Sequence, residues 1–204
     1  MESTTLLLFA ATVLPLICTP GPDMLFIASQ SIGAGAPAGL RATAGVCAGY
    51  VVHSALVALG LAAIIAASPP LFEALRWIGV GYLVYLALRL LRSAMKAGSA
   101  DRTDGARGAP FWRGFLTAVL NPKGMLIYFA ILPQFMHAQA SAAAQAIVLS
   151  ALFIALCALV YAGLSLVLGS SAGRRRSYSD RRRRWVEGAC GGLIGVAAGA
   201  LASG

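Results

Sequence analysis

The sequence predicts an all-α integral membrane protein, with six transmembrane helices arranged as two inverted three-helix repeats. Two observations support this prediction. Of the 204 residues, 59% are hydrophobic and 11% are charged, and the mean hydropathy is +0.79, which lies well above the range of soluble domains. Six apolar segments also approach or exceed the length of about 20 residues that a helix needs to cross a bilayer. Residues 1–204 are therefore interpreted as one transmembrane domain.

The six segments lie near residues 6–32, 41–66, 72–94, 112–136, 142–169 and 185–202. Turns rich in Gly, Pro and Ser, or charged stretches, separate them. The first three segments form repeat one (1–95), a polar cytoplasmic linker covers 96–110, and the last three form repeat two (111–204). Because three spans is an odd number, the second repeat is expected to be inserted upside down relative to the first.

Lysine and arginine residues predict the orientation of the chain. If the chain crosses six times, 14 of the 16 Lys and Arg residues fall at the first, third and fifth loops. The positive-inside rule places these loops in the cytoplasm and both termini outside. The arginine-rich stretch 174–184 is interpreted as part of this signal, lying against anionic lipid head groups. No nucleic-acid partner is expected, since no nucleic-acid-binding fold accompanies these arginines.

The first span is interrupted near its middle by Pro20-Gly21-Pro22-Asp23. A proline removes a backbone donor, so the carbonyls of Leu16 and Cys18 are predicted to lose their usual i+4 partners. In hydrocarbon, such groups must be satisfied by protein or by water. A carboxylate at the bilayer centre costs about 2.5 to 3.5 kcal/mol on insertion scales, so Asp23 is expected to have a partner or to face a cavity. The break is therefore predicted to be the working site.

The fourth span contains a parallel interruption at Asn121-Pro122-Lys123. Asn before Pro favours a helix start, with Asn121 as the cap. Lys123 then lies at the positive end of a half-helix, which suits a carboxylate. Setting Pro22 on Pro122 pairs Asp23 with Lys123, and a site with one carboxylate and one ammonium suits a zwitterion. The alternative is a structural ion pair that pins the two halves together. Paired broken spans in inverted halves indicate a transporter's binding site at mid-membrane.

Weaker candidates lie elsewhere in the chain. His53, in the second span, could relay protons or hydrogen-bond a neighbouring helix. The spacing of Gly45 and Gly49, and similar glycine series in the last span, predict close helix packing or a homodimer contact. Since the sequence contains no catalytic triad, metal cluster or phosphate loop, no enzymatic activity, cofactor or metal site is expected.

Several stretches together resemble the LysE/RhtB family of bacterial amino-acid exporters. They are TPGPDMLFI near the start, WIGVGYLVYLALRLLRSA, and above all GFLTAVLNPKGMLIYFAILPQF. The resemblance covers essentially the whole chain. It implies a six-span exporter of amino acids or related metabolites in the bacterial inner membrane, driven by the proton gradient. It also assigns the family's motif positions to Pro20-Gly21-Pro22-Asp23 and Asn121-Pro122-Lys123.

Two other functions compete with amino-acid export. A membrane-embedded thiol–disulfide electron carrier, resembling the CcdA/DsbD type, also has six spans, with a cysteine beside the proline of each broken helix. Cys18 fits the first break, but the equivalent position in the second is Ala118, and dithiol chemistry needs two sulfurs within bonding reach. An exporter of a metal ion or other small solute is the other possibility. Metal export favours converging Cys, His or carboxylate ligands, of which Asp23, His53 and scattered cysteines are the only candidates.

Overall fold

A computed structural model describes residues 2–60, 68–95, 109–137, 141–173, 185, 188–190, 192–196 and 199. Every regular element in these residues is helical. In chain order, they are α1 (Ser3–Cys18), α2 (Pro22–Ala34), α3 (Ala36–Ala58), α4 (Pro69–Met95), α5 (Ala109–Val119), α6 (Pro122–Leu126), a π-helical turn (Ile127–Ile131), a 3₁₀ turn (Leu132–Phe135) and α7 (Ala142–Gly173). The predicted arginine-rich stretch 174–184 and most of the linker 96–110 lie outside the described residues.

Four of the predicted spans correspond to candidate membrane-crossing elements. The helices α3 and α7 are each long and apolar enough to cross a membrane. The pair α1 and α2 passes the same test but bends by 56° at its break, and Pro110–Val119 with Pro122–Phe135 bends by 47°. The predicted breaks in the first and fourth spans are therefore confirmed. The helix α4 covers the predicted third span without being among these candidates, and the sixth span is described only in short helical pieces. The six-span inverted repeat stays a prediction.

The turn between α2 and α3 is a single residue, Gly35, with φ of +83°. This left-handed conformation is open to glycine at little steric cost. Pro37 then lies in the first turn of α3, where its fixed φ fits and its missing N–H is not needed. For this reason the second span begins at Ala36, earlier than the predicted 41. Its described helix ends at Ala58, and the predicted end at 66 lies outside the described residues.

The helix α3 lies at the centre of the fold and packs against α2, α5 and α7. Its glycines allow the close contact with α5: a Cβ at Gly45 would overlap the Phe111 carbonyl oxygen, and a Cβ at Gly49 would lie 2.7 Å from the Ala118 Cβ. The Gly45 and Gly49 spacing is thus a helix-packing seam within one chain.

Large apolar side chains face outward from several helices. Leu159 and Val167 on α7 are 72% and 67% exposed, and Leu7 on α1 is 72% exposed. Extended apolar surface of this kind is unfavourable in water and suits contact with lipid. Together with the apolar helices, it is consistent with a membrane protein.

Candidate functional site

The two helix breaks meet through Lys123. Its ammonium donates a hydrogen bond of 2.6 Å to the backbone carbonyl of Thr19, at the first break. Its stem passes over Gly21, where a Cβ would lie only 3.3 Å from the Lys123 Cδ. Gly21 therefore leaves room for a side chain from the second break to reach the first.

The first break satisfies its backbone in part locally. The N–H of Thr19 donates to the carbonyls of Pro15 at 2.9 Å and Leu16 at 3.2 Å. The predicted loss of the i+4 partner of the Leu16 carbonyl at Pro20 is therefore confirmed, and a 3₁₀-type bond from Thr19 replaces the missing i+4 bond. The carbonyl of Thr19 lies between α1 and α2 and is bonded by Lys123 instead.

Asp23 lies in the first turn of α2 and is 2% exposed. The hydroxyl of Tyr50 donates a hydrogen bond to its Oδ2. Its Oδ1 is buried and has no hydrogen-bond partner among the described residues. The Lys123 charge lies close enough to interact electrostatically with this carboxylate, and the Asn121 side-chain amide lies next to it. The Lys123 ammonium hydrogen-bonds the Thr19 carbonyl, and it forms no direct ion pair with Asp23 in the described part of the chain.

Asn121 is fully buried and caps the half-helix that follows it. Its Oδ1 accepts a 3.0 Å hydrogen bond from the backbone N–H of Lys123, as the Asn-Pro pair predicts. Its Nδ2 has no hydrogen-bond partner among the described residues. One end of this amide therefore stabilises the break, and the other is a buried donor that lies next to the Asp23 carboxylate.

Tyr50 is the site residue that sequence reasoning missed. Besides bonding Asp23, its ring lies against Gly124, where a Cβ would be 2.7 Å from the Tyr50 Cε1. The ring also stacks on Tyr128, with centroids 6.0 Å apart, and meets Phe153 edge-on at 5.0 Å. The available signal was its position: Tyr50 directly follows the Gly49 of the packing seam, so it lies where α3 approaches its neighbours most closely.

The helix α7 forms a further wall. Phe153, Cys157 and Tyr161 recur at i, i+4 and i+8, which places them on one face, and all three are buried. Cys157 and Tyr161 lie within electrostatic range of Asp23. Three walls therefore surround the carboxylate, contributed by α3, by the second broken span and by α7.

His53 contacts a neighbouring helix. Its Nε2 lies 3.2 Å from the Ala118 carbonyl, and its ring packs against Tyr128 at a centroid distance of 5.5 Å. The geometry matches the helix–helix hydrogen bond that the sequence allowed. Its Nδ1 has no partner among the described residues.

Two observations concern the cysteines and the possible metal ligands of the competing functions. The four cysteines are free, and Cys18 forms no disulfide. Within the described ranges, no group of three or more His, Cys, Asp or Glu residues could hold a metal ion.

Bent half-helices that meet around buried charged groups are typical of membrane transport proteins. The comparison with known families agrees: this chain belongs to the LysE type translocator family, which matches residues 14–204. It is therefore a membrane transporter and not an enzyme.

Characterised and uncharacterised relatives are similar to this chain. The uncharacterized membrane protein PA4757 of Pseudomonas aeruginosa is 30% identical over 185 residues, which cover 87% of this chain and 83% of the relative. The leucine efflux proteins of Salmonella choleraesuis and Salmonella typhimurium are 33% identical over 127 residues, covering 61% of this chain and 60% of each relative. No solved structure matches this chain significantly.

Proposed function

We propose that this protein exports an amino acid across the bacterial inner membrane in exchange for protons, and that Asp23, Asn121 and Lys123 contact the cargo. One observation carries the proposal. Asp23 Oδ1, an acceptor, and Asn121 Nδ2, a donor, are both buried without a partner among the described residues, where the two half-helices begin. Leaving such groups unsatisfied costs about 1 to 3 kcal/mol each. A ligand that bonds both would recover this free energy.

A zwitterion has the groups that this arrangement needs. Its ammonium would donate to Asp23 Oδ1, and its carboxylate would accept from Asn121 Nδ2 and from Lys123. A lysine ammonium has three N–H donors, and one of them is used on Thr19. The remaining donors are available to a carboxylate, and the positive end of the half-helix Pro122–Phe135 would add to the attraction.

The relatives favour an amino acid over other zwitterions. The Salmonella proteins are named for leucine efflux, although the alignment spans only 60% of their length. The rings of Tyr50, Tyr128 and Phe153 form an apolar cluster beside the charged groups. This cluster suits an aliphatic side chain such as that of leucine, which is therefore the first cargo to test.

The use of a single carboxylate supports the proposed exchange for protons. Asp23 can bind either a proton or the cargo ammonium, and the two occupants exclude each other. If Asp23 is exposed alternately to the two sides of the membrane, a proton entering from outside displaces the cargo bound from inside. Export is then coupled to the proton gradient without a second ionisable group.

The distribution of Lys and Arg residues supports a proposal for how the protein is oriented in the membrane. Six spans, with both termini in the periplasm, would place the basic loops against anionic lipids of the cytoplasmic face. A homodimer would use the last glycine series, since a Cβ placed at Gly192 or Gly199 would have no described atom within 4 Å.

Efflux from proteoliposomes tests the proposal. Vesicles loaded with labelled leucine and a mixture of other amino acids are followed with and without an imposed pH gradient. We expect gradient-stimulated loss of one amino acid or a small group of them, and a fall of about a hundredfold or more in Asp23→Asn, which removes the buried carboxylate at a cost above about 2.7 kcal/mol in transport free energy. Glu2→Gln, which removes an exposed carboxylate, is the matched control. Wild-type efflux rates in correctly folded Asp23→Asn would reject the site.

A further inference from the structure

We infer that Tyr50 is a positioning residue of the cargo site, which holds the Asp23 carboxylate so that Oδ1 stays free for the cargo ammonium. The inference rests on the proposed function for its cargo, and on the contacts of Tyr50 for its mechanism. Tyr50 lies on α3, outside both helix breaks and their sequence motifs.

A carboxylate can rotate about its bond to Cβ, and a second anchor point removes that freedom. The Tyr50 hydroxyl has one proton to donate, and it donates to Oδ2. Oδ1 is consequently the oxygen left without a partner among the described residues. A cargo ammonium then meets an acceptor that is already oriented, so less ordering is needed on binding.

The ring of Tyr50 is itself immobilised. It is 2% exposed and packs between Tyr128 at 6.0 Å and Phe153 at 5.0 Å. Its Cε1 occupies the space where a side chain at position 124 would begin. Gly124 is in the half-helix after the second break, so Tyr50 links that half-helix to the carboxylate of the first.

Unsatisfied polar groups concentrate around this ring. Five buried side-chain atoms have no hydrogen-bond partner among the described residues. Three of them belong to Asp23, which bonds the hydroxyl, and to His53 and Tyr128, whose rings lie 6.2 Å and 6.0 Å from the Tyr50 ring. Tyr50 therefore lies at the centre of the polar interior, where the cargo is proposed to pass.

Two substitutions reach the same contact from opposite sides. Tyr50→Phe removes only the hydroxyl and keeps the ring packing. Gly124→Ala keeps the hydroxyl but pushes the ring away from its place against the half-helix. A hydrogen bond to a charged group corresponds to a change of about ten- to a hundredfold in an equilibrium constant. We expect each variant to raise the KM for export by about that factor and to change Vmax by less than about threefold.

The double variant sharpens the test. If both substitutions act through the Tyr50–Asp23 contact, Gly124→Ala should add less than about twofold to the KM of Tyr50→Phe, because interacting residues are not additive. Tyr82→Phe is the matched control: it removes a tyrosine hydroxyl that bonds the Arg113 carbonyl at 3.0 Å, between other helices. Its KM should equal that of the wild type.

A second measurement does not depend on the cargo. Dicyclohexylcarbodiimide, a membrane-soluble reagent for carboxyl groups, should modify Asp23 several times faster in Tyr50→Phe than in the wild type, since one carboxyl oxygen has lost its hydrogen bond. Labelled peptides are quantified by mass spectrometry. Asp23→Asn, which has no carboxyl group at this position, gives the background level of labelling.

The possible outcomes separate this inference from the proposed function. If the wild type exports an amino acid and Tyr50→Phe has the wild-type KM, the inference is wrong and the proposed function stands. If the wild type exports no amino acid, the proposed function fails, and equal labelling rates at Asp23 in the two proteins would also overturn the role of Tyr50. A raised KM together with faster labelling supports both.

Discussion

The first helix break depends on a side chain from the second break, whereas the second break is satisfied in part by its own residues. At the first break, the Thr19 carbonyl is bonded by Lys123, which comes from the other half of the chain. At the second, Pro122 removes the usual i+4 donor of the Ala118 carbonyl, yet that oxygen accepts from the Asn121 N–H at 3.1 Å and has His53 Nε2 at 3.2 Å. One carbonyl has a single donor among the described residues, and the other has two.

The N-terminal caps of the two half-helices also differ: the second break provides its own capping side chain, and the first does not. Asn121 caps α6 through its own side chain, whereas Gly21, at the start of α2, has no side chain to offer. The first half-helix instead carries its carboxylate, Asp23, in its first turn, where the helix dipole favours a negative charge. The two sequence motifs that align as a repeat thus have different roles. The second motif supplies hydrogen bonds that stabilise both breaks, and the first motif carries the buried carboxylate.

Among the substitutions that test this comparison of the two breaks, the largest effect is expected for Lys123→Met, which keeps most of the stem and removes the ammonium. The Thr19 carbonyl loses its donor, and the proposed cargo carboxylate loses its counter-charge. We expect export to fall by about tenfold or more, and the free energy of unfolding by about 1 kcal/mol. Efflux from proteoliposomes and denaturation in detergent measure the two quantities.

The control for Lys123→Met is Arg41→Met, which removes an exposed cation from α3. It should leave export and stability near wild type, since exposed charges contribute little. Wild-type export by a folded Lys123→Met protein would show that the link between the breaks is dispensable.

Asn121 allows capping to be separated from cargo contact. Asn121→Ala removes both the cap acceptor and the free Nδ2, and should lower the free energy of unfolding by about 1 kcal/mol. Asn121→Ser keeps a cap acceptor but lacks the amide donor, so its stability should stay close to that of the wild type. Both variants should raise the KM for export several-fold. If Asn121→Ser exports with the wild-type KM, the role of Asn121 is confined to capping.

The sequence predicted the positions of both breaks because their causes are local. Proline removes a donor and fixes φ wherever it occurs, and Asn before Pro caps a helix through atoms two residues away. The bends after Cys18 and Val119 and the Asn121 cap follow from these rules. The glycine spacing at 45 and 49 likewise predicted close packing, although it did not identify α5 as the partner.

The contacts across the site could not be predicted in the same way, because they depend on how helices pack. Aligning the two motifs suggested an ion pair between Asp23 and Lys123. The alignment shows only that the two residues occupy equivalent positions in the two repeats, and it does not show that their side chains are in contact. The bend of each span sets where the side chains point, and Lys123 meets a backbone carbonyl while Asp23 meets Tyr50. The position of Tyr50 after Gly49 indicates only that it lies where helices pack closely, and this does not distinguish a site residue from an ordinary core residue.

The smallest effect is expected at His53, because the Ala118 carbonyl keeps the Asn121 N–H when the histidine is removed. His53→Phe retains a ring against Tyr128 and Phe129 and also eliminates the Nδ1 that has no partner among the described residues. Because the substitution leaves no buried acceptor unsatisfied, stability should change by less than about 1 kcal/mol and export by less than about twofold. Efflux driven by a pH gradient is the measurement. A folded His53→Phe protein that still exchanges cargo but no longer responds to the gradient would make His53 the proton relay, and the second break would then take part in energy coupling.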